Sequence, residues 1–167
     1  STASKGNCVF LSPDWVLLTY HQIKPHGPYG MKTSKGDFIN GTEMDIISVS
    51  LLEDLALLKV EHDYDYIGMV SLPEEVKSMQ EDLTLVHLRT YGFEDPEIET
   101  RYFPEAIISS DAVYTMGVYG SRFAHFEFED EGPFMIAKGV SGGPFFNGSD
   151  LKGVLSRGNA ELGTASY

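Results

Sequence analysis

Apolar and polar positions in this chain follow one another in short runs, with no long window at helical period. The runs CVFL, WVLLTYHQI, DIISVSL, LALLKV, IGMVSL, LTLVHLR, AIISSDAVYT, FAHFEF, FMIA, PFFN and GVLS are rich in Val, Ile, Phe and Tyr and are bounded by Gly, Pro, Asn or Asp. Each predicts a strand, and their recurrence about every dozen residues predicts an all-β antiparallel sandwich or barrel in place of βαβ units. The best helical candidate is PEEVKSMQED at 73–82, which opens on Pro and two Glu as a first helical turn prefers. That polar segment falls near the middle. It separates a strand-rich N-terminal region, residues 1–72, from a C-terminal one, residues 83–167, with 73–82 as a connector between two β subdomains.

Composition narrows the partners. A hydrophobic content of 42% in 167 residues is enough for a folded core. With 25 acidic against 12 basic residues the formal net charge is -13, so phosphate backbones and anionic membrane surfaces are repelled. Neither a nucleic-acid partner nor a membrane span is expected. The single cysteine, Cys8, excludes an internal disulfide and favours the cytoplasm or another reducing compartment. The Ser1 start is compatible with a processed product or a domain cut from a larger polypeptide.

Chemistry concentrates in KGVSGGPFFN at 138–147, which sets Ser141 among Gly139, Gly142, Gly143 and Pro144. A cluster of glycines marks either a tight turn or backbone that must approach something closely. A serine hydroxyl becomes a nucleophile only when a base takes its proton and a third group orients that base. It also needs N–H groups aimed at the developing oxyanion, and glycine keeps that space open.

Five histidines could supply the base. His62 lies between Glu61 and Asp63 in a polar loop, and His26 in the turn-like KPHGPYG. His87 and His125 fall within strands, where core or surface histidines are common. His21 ends the apolar run WVLLTYH, a rigid position open to a cleft. For the orienting acid, Asp54 leads directly into the apolar strand LALLKV; taken alone it reads as a turn residue.

The three pieces WVLLTYH, DLALLKV and GVSGGP, in the order His, Asp, Ser, resemble the trypsin/chymotrypsin-type serine endopeptidases, closest to compact HtrA-like and viral members. Spacings of 33 positions from His21 to Asp54 and 87 from Asp54 to Ser141 suit those smaller relatives. The resemblance implies two antiparallel β-barrels with the active site in the cleft between them. It implies Ser141 as nucleophile, His21 as general base and then acid, and Asp54 as its orienter. The N–H groups of Gly139 and Ser141 would form the oxyanion hole. GVLSRG would place Ser156, Arg157 and Gly158 along the substrate groove and specificity pocket, where an extended protein or peptide substrate adds as a strand. No cofactor is implied, and the oligomeric state is not specified.

Departures from the family sharpen the expectation. Thr19-Tyr20 stands where trypsins have Ala-Ala, no disulfide flanks the histidine, and Ser1 is not the aliphatic start that activation by N-terminal insertion requires. The pocket position six before the nucleophile is Met135, so cleavage after Lys or Arg is not expected. Arg157 or Lys138 leaves open an acidic or amide preference, although Arg157 facing solvent is the simpler reading. The alternative function is a catalytically latent protease-fold domain that binds peptides or proteins without turnover; no triad member is lost. A metal site from Cys8, His21 and His26 lacks a ligand pattern, so no metal is expected. Cellular and viral origins both fit, and a viral origin would place the chain in the host cytoplasm.

Overall fold

The computed structural model describes residues 6–23, 30–61, 64–72, 80–89, 97–116, 119–128, 141–159 and 164–167. In the N-terminal region lie β1 (Val9–Ser12), β2 (Trp15–Leu18), a one-turn helix α1 (Tyr20–Ile23), β3 (Gly30–Lys32), β4 (Phe38–Asn40), β5 (Met44–Ser50) and β6 (Leu55–Val60). In the C-terminal region lie β7 (Gln80–Arg89), β8 (Glu97–Ile107), β9 (Ser109–Met116), β10 (Tyr119–Glu127), β11 (Pro144–Asn147), β12 (Asp150–Val154), β13 (Arg157–Asn159) and β14 (Thr164–Ser166).

Among the described residues, no ladder between these strands joins the two regions. The first forms a sheet of order β1-β2-β6-β5 and the hairpin β3-β4; the second forms sheets β12-β11-β7-β8 and β13-β14-β10-β9. Every one of these ladders is antiparallel, as short connections demand.

Each region closes on its own core. In β6 the pleat sends Ala56, Leu58 and Val60 inward, where they meet Val16, Leu18, Ile23, Ile39 and Met44. The second core gathers Leu83, Leu85, Phe103, Phe126, Phe145 and Leu155. Its rings pack edge to face, with Phe103 and Phe126 centroids 4.9 Å apart and Phe126 and Phe145 5.6 Å apart. Full burial of each such side chain is worth roughly 1.5–3 kcal/mol. His87, the next inward position of β7, is buried opposite Glu99 of β8, with Nε2 3.4 Å from Oε2, so of the core and surface readings that its strand position left open it takes the first.

Four expectations are corrected. AIISSDAVYT at 106–115 is not one strand: β8 ends at Ile107 and β9 begins at Ser109. WVLLTYHQI is not one strand: β2 ends at Leu18 and α1 follows. IGMVSL is not a strand either; only Ser71 pairs, as an isolated parallel bridge to Asp150, while Met69 and Leu72 face solvent. Its burial does not alternate as that of a half-buried strand would. The helix expected over 73–82 cannot include its last three residues, because β7 begins at Gln80. Positions 73–79 lie outside the described residues, as does FMIA at 134–137.

Candidate active site

The register of β2 against β6 brings the candidate base and acid together. Leu18 pairs with Ala56, so His21, just past the end of β2, and Asp54, just before β6, leave the sheet side by side. The turn into α1 is made by Thr19 and Gln22. Gln22 Oε1 accepts from the Thr19 N–H at 2.9 Å and from Thr19 Oγ1 at 2.6 Å, the reciprocal half of a capping box written T-x-x-Q. This cap converts what would have been the end of a strand into one helical turn and aims His21 at Asp54.

Asp54 is fixed from several directions. It adopts φ 53°, a left-handed conformation that aspartate tolerates better than most residues and that functional sites retain at some cost. Its carbonyl accepts from Tyr20 N at 3.0 Å. Of its carboxylate oxygens, Oδ1 accepts from His21 N at 2.9 Å, and Oδ2 lies 2.6 Å from His21 Nδ1. Ser156 Oγ also donates to Oδ2 at 2.6 Å. The Asp54 side chain is only 7% exposed, whereas that of His21 is 38% exposed. The imidazole is therefore held at Nδ1 by a buried acceptor while its other edge is accessible.

Electrostatics agree with this arrangement. Burial opposes ionisation of Asp54, but the hydrogen bonds from His21 and Ser156 and the attraction of His21 outweigh it. Together they hold the carboxyl below the ordinary aspartate value.

Ser141 belongs to the segment that leads into the second core, and the peptide after it meets Asn7 and Gln22 of the first region. Past Pro144, which pairs with Val154 in β11–β12, the chain continues opposite Leu155: Leu155 N donates to Gly143 O at 2.8 Å and Gly142 N to Leu155 O at 2.7 Å. Gly142 has φ 87°, and a Cβ there would fall 1.8 Å from Asn7 O and 2.4 Å from Gln22 Oε1. Both conformation and space demand glycine. The residue after Ser141 thus touches the residue after His21. The Ser141 carbonyl is held as well, accepting from Asn7 N at 2.7 Å.

The remaining candidates divide. Ser156, expected along the substrate groove, is 3% exposed and gives its hydroxyl to Asp54. Arg157 and Gly158 lie on β13, which among the described residues is one of the two edge strands of its sheet. Gly139, Met135 and Lys138 lie outside the described residues, as do His26 and His62. Cys8 packs against the first core, and burial pushes its thiol up to about 12. Among the described residues no group of His, Cys, Asp or Glu is placed to hold a metal ion, and no helix is long and apolar enough to cross a membrane.

Two residues at the site were not singled out from the sequence. For Gln22 the signal that could have found it is T-x-x-Q at 19–22. Asn7, which bonds the Ser141 carbonyl, leaves no local signal.

No protein-family model matches the sequence, and no curated protein matches it either. Solved structures do. The murine norovirus NS6 protease aligns with a TM-score of 0.65 at 13% identity, covering 96% of this chain and 86% of its own. The Mycobacterium tuberculosis protein Rv3671c, solved as an inactive mutant, aligns at 0.66 and 16% identity, covering 99% and 76%. The MamO protease domain of Magnetospirillum magneticum gives 0.65 and 14%, covering 99% and 84%. At such identities the likeness is one of fold: the chain is all-β and has the two-barrel architecture of chymotrypsin-like serine proteases.

Proposed function

We propose that the chain is a serine endopeptidase working through Ser141, His21 and Asp54. The observation that carries this reading is the anchored imidazole: Nδ1 lies 2.6 Å from the buried Asp54 carboxylate and leaves Nε2 to act. An aspartate on Nδ1 selects the tautomer whose Nε2 is a free base and stabilises the imidazolium that forms.

In the reaction, His21 Nε2 takes the proton of Ser141 Oγ as the oxygen attacks the scissile carbonyl. The tetrahedral oxyanion forms against the N–H groups of Gly139 and Ser141. His21 then delivers its proton to the leaving amine, giving an acyl-enzyme on Ser141. Water attacks that ester with His21 again as base, and the acid product leaves with Ser141 restored. Because β13 is an edge strand, a peptide can extend its sheet alongside Arg157 and Gly158. With no carboxylate at Met135, the side chain before the cleaved bond is one other than Lys or Arg.

A fluorophosphonate probe tests this directly on the purified chain. Labelling confined to Ser141, absent in Ser141→Ala and strongly slowed in His21→Ala, is the expected outcome. A folded wild type that takes up no probe would overturn catalysis and leave the fold as a peptide- or protein-binding module.

A further inference from the structure

Asn7 makes hydrogen bonds to three described residues, Ser141, Gln22 and Leu88, that join segments of the chain far apart in sequence. Its N–H donates to the Ser141 carbonyl at 2.7 Å. Its own carbonyl accepts from Gln22 Nε2 at 2.9 Å. Its side-chain Oδ1 accepts from Leu88 N at 2.7 Å. Leu88 lies on β7 beyond Leu85, the last residue of that strand to pair with β11, so the Asn7 side chain takes over that edge. Asn7 is 9% exposed, hence largely removed from water that could substitute for these partners.

The three bonds act on the two sides of the proposed chemistry at once. The peptide between Ser141 and Gly142 is clamped at both ends, its carbonyl by Asn7 N–H and its N–H by Leu155 O. Gln22, whose other amide atom caps the helix bearing His21, holds the opposite side of the same Asn7 residue through its carbonyl. A rotation of Asn7 would therefore turn the Ser141 peptide and shift α1 together. The Oδ1–Leu88 bond opposes that rotation by pinning the side chain to the second barrel.

On the serine-hydrolase reading, we propose that Asn7 is a positioning residue that sets the register between the nucleophile loop and the histidine helix, with Gln22 as its partner. It touches no substrate and transfers no proton. Its effect is on how often Ser141 and His21 stand in the productive geometry, so it acts on the rate of the chemical step and not on encounter.

The test combines two measurements on the intact chain. Asn7→Leu keeps the branching at Cγ and removes the acceptor, and Asn7→Asp keeps an acceptor. Gln22→Glu retains the helix cap while losing the donor to Asn7. With the fluorophosphonate, kinact should fall at least about tenfold in Asn7→Leu and Gln22→Glu with KI within about twofold, and Asn7→Asp should recover most of the loss. Amide exchange, which needs no reaction, should speed up at Leu88 and Gly142 in Asn7→Leu and stay unchanged at Leu57 and Leu58 of β6. Unchanged kinact and unchanged exchange at Gly142 in folded Asn7→Leu would overturn the proposal. If Asn7→Leu does not fold, Gln22→Glu decides: wild-type kinact there overturns it. A wild type that the probe never labels overturns the functional reading alone, since exchange at Gly142 still reports whether Asn7 holds the loop.

Discussion

Ser156 Oγ donates a 2.6 Å hydrogen bond to Asp54 Oδ2 across 102 positions of sequence. The carboxylate that holds His21 in the first barrel is therefore partly held by the second. Removing the hydroxyl leaves a buried carboxylate one partner short. Ser156→Ala should cost about 2 kcal/mol in urea unfolding at pH 7, in the range for a bond to a charged group. A loss below about 0.5 kcal/mol would mean that the hydroxyl is not a significant partner of Asp54.

The lowered Asp54 carboxyl has a definite sign in stability. Its proton binds more weakly in the folded chain than in the unfolded one, so the unfolded state takes up the extra proton as pH falls. The stabilisation is complete above the ordinary aspartate value of about 4 and disappears as pH drops through the lower folded value. Urea midpoints between about pH 6 and 2.5 should fall less steeply in Asp54→Asn than in wild type. Parallel curves would contradict the assignment.

For the proposed reaction, Asp54→Asn should leave the fold largely intact and slow fluorophosphonate labelling by about 10⁴-fold, because the amide favours the wrong imidazole tautomer. Combining Ser141→Ala with His21→Ala should be little worse than either alone when turnover of a cleavable peptide is followed, since the two groups act as a unit.

Gly142→Ala places a methyl group 1.8 Å from Asn7 O at φ 87°. No rotamer relieves a clash with backbone, so the loop must move. Melting should shift downward by at least several degrees and Ser141 labelling should be lost. Gly148 also has positive φ, but nothing lies within 4 Å of a Cβ there. Gly148→Ala is thus the control for backbone strain without collision, and labelling should survive it.

Cys8 offers a probe of folding. With its thiol pushed up to about 12 it stays protonated and poorly nucleophilic at pH 8. A thiol reagent should react slowly with the native chain and quickly in urea. The sign at high pH follows: the unfolded thiol ionises above about 8.5 while the folded one does not, so stability declines as pH rises past that value.

Much of the fold was legible where one face of a strand is buried and the other is not. LALLKV became β6 residue for residue, with burial alternating along it, and PFFN became β11, a short apolar run bounded by turn residues. The first stretch of β8 was missed: Glu97, Glu99 and Arg101 give it the composition of a loop, although it pairs with β7 along its whole length. Ladder hydrogen bonds are indifferent to side-chain charge, so an exposed strand on a covered sheet carries little apolar signal. At the site, His21 and Asp54 could be read because each borders an apolar strand, and the register of β2 with β6 brings them together. Asn7 could not be read. Its side-chain partner is the backbone of Leu88, 81 positions away, and a backbone partner imposes no residue type on the sequence.

Division of the site between two cores also bears on biosynthesis. Asp54 and His21 leave the ribosome 102 and more residues before Ser156, and at about 5–20 residues per second that interval lasts roughly 5–20 s. Throughout it the first barrel can close on its own apolar residues, yet its carboxylate lacks the Ser156 hydroxyl, and for most of it Ser141 has not been made. On the proposed serine-hydrolase reading, a growing chain cannot cleave its neighbours until translation has nearly completed the second barrel.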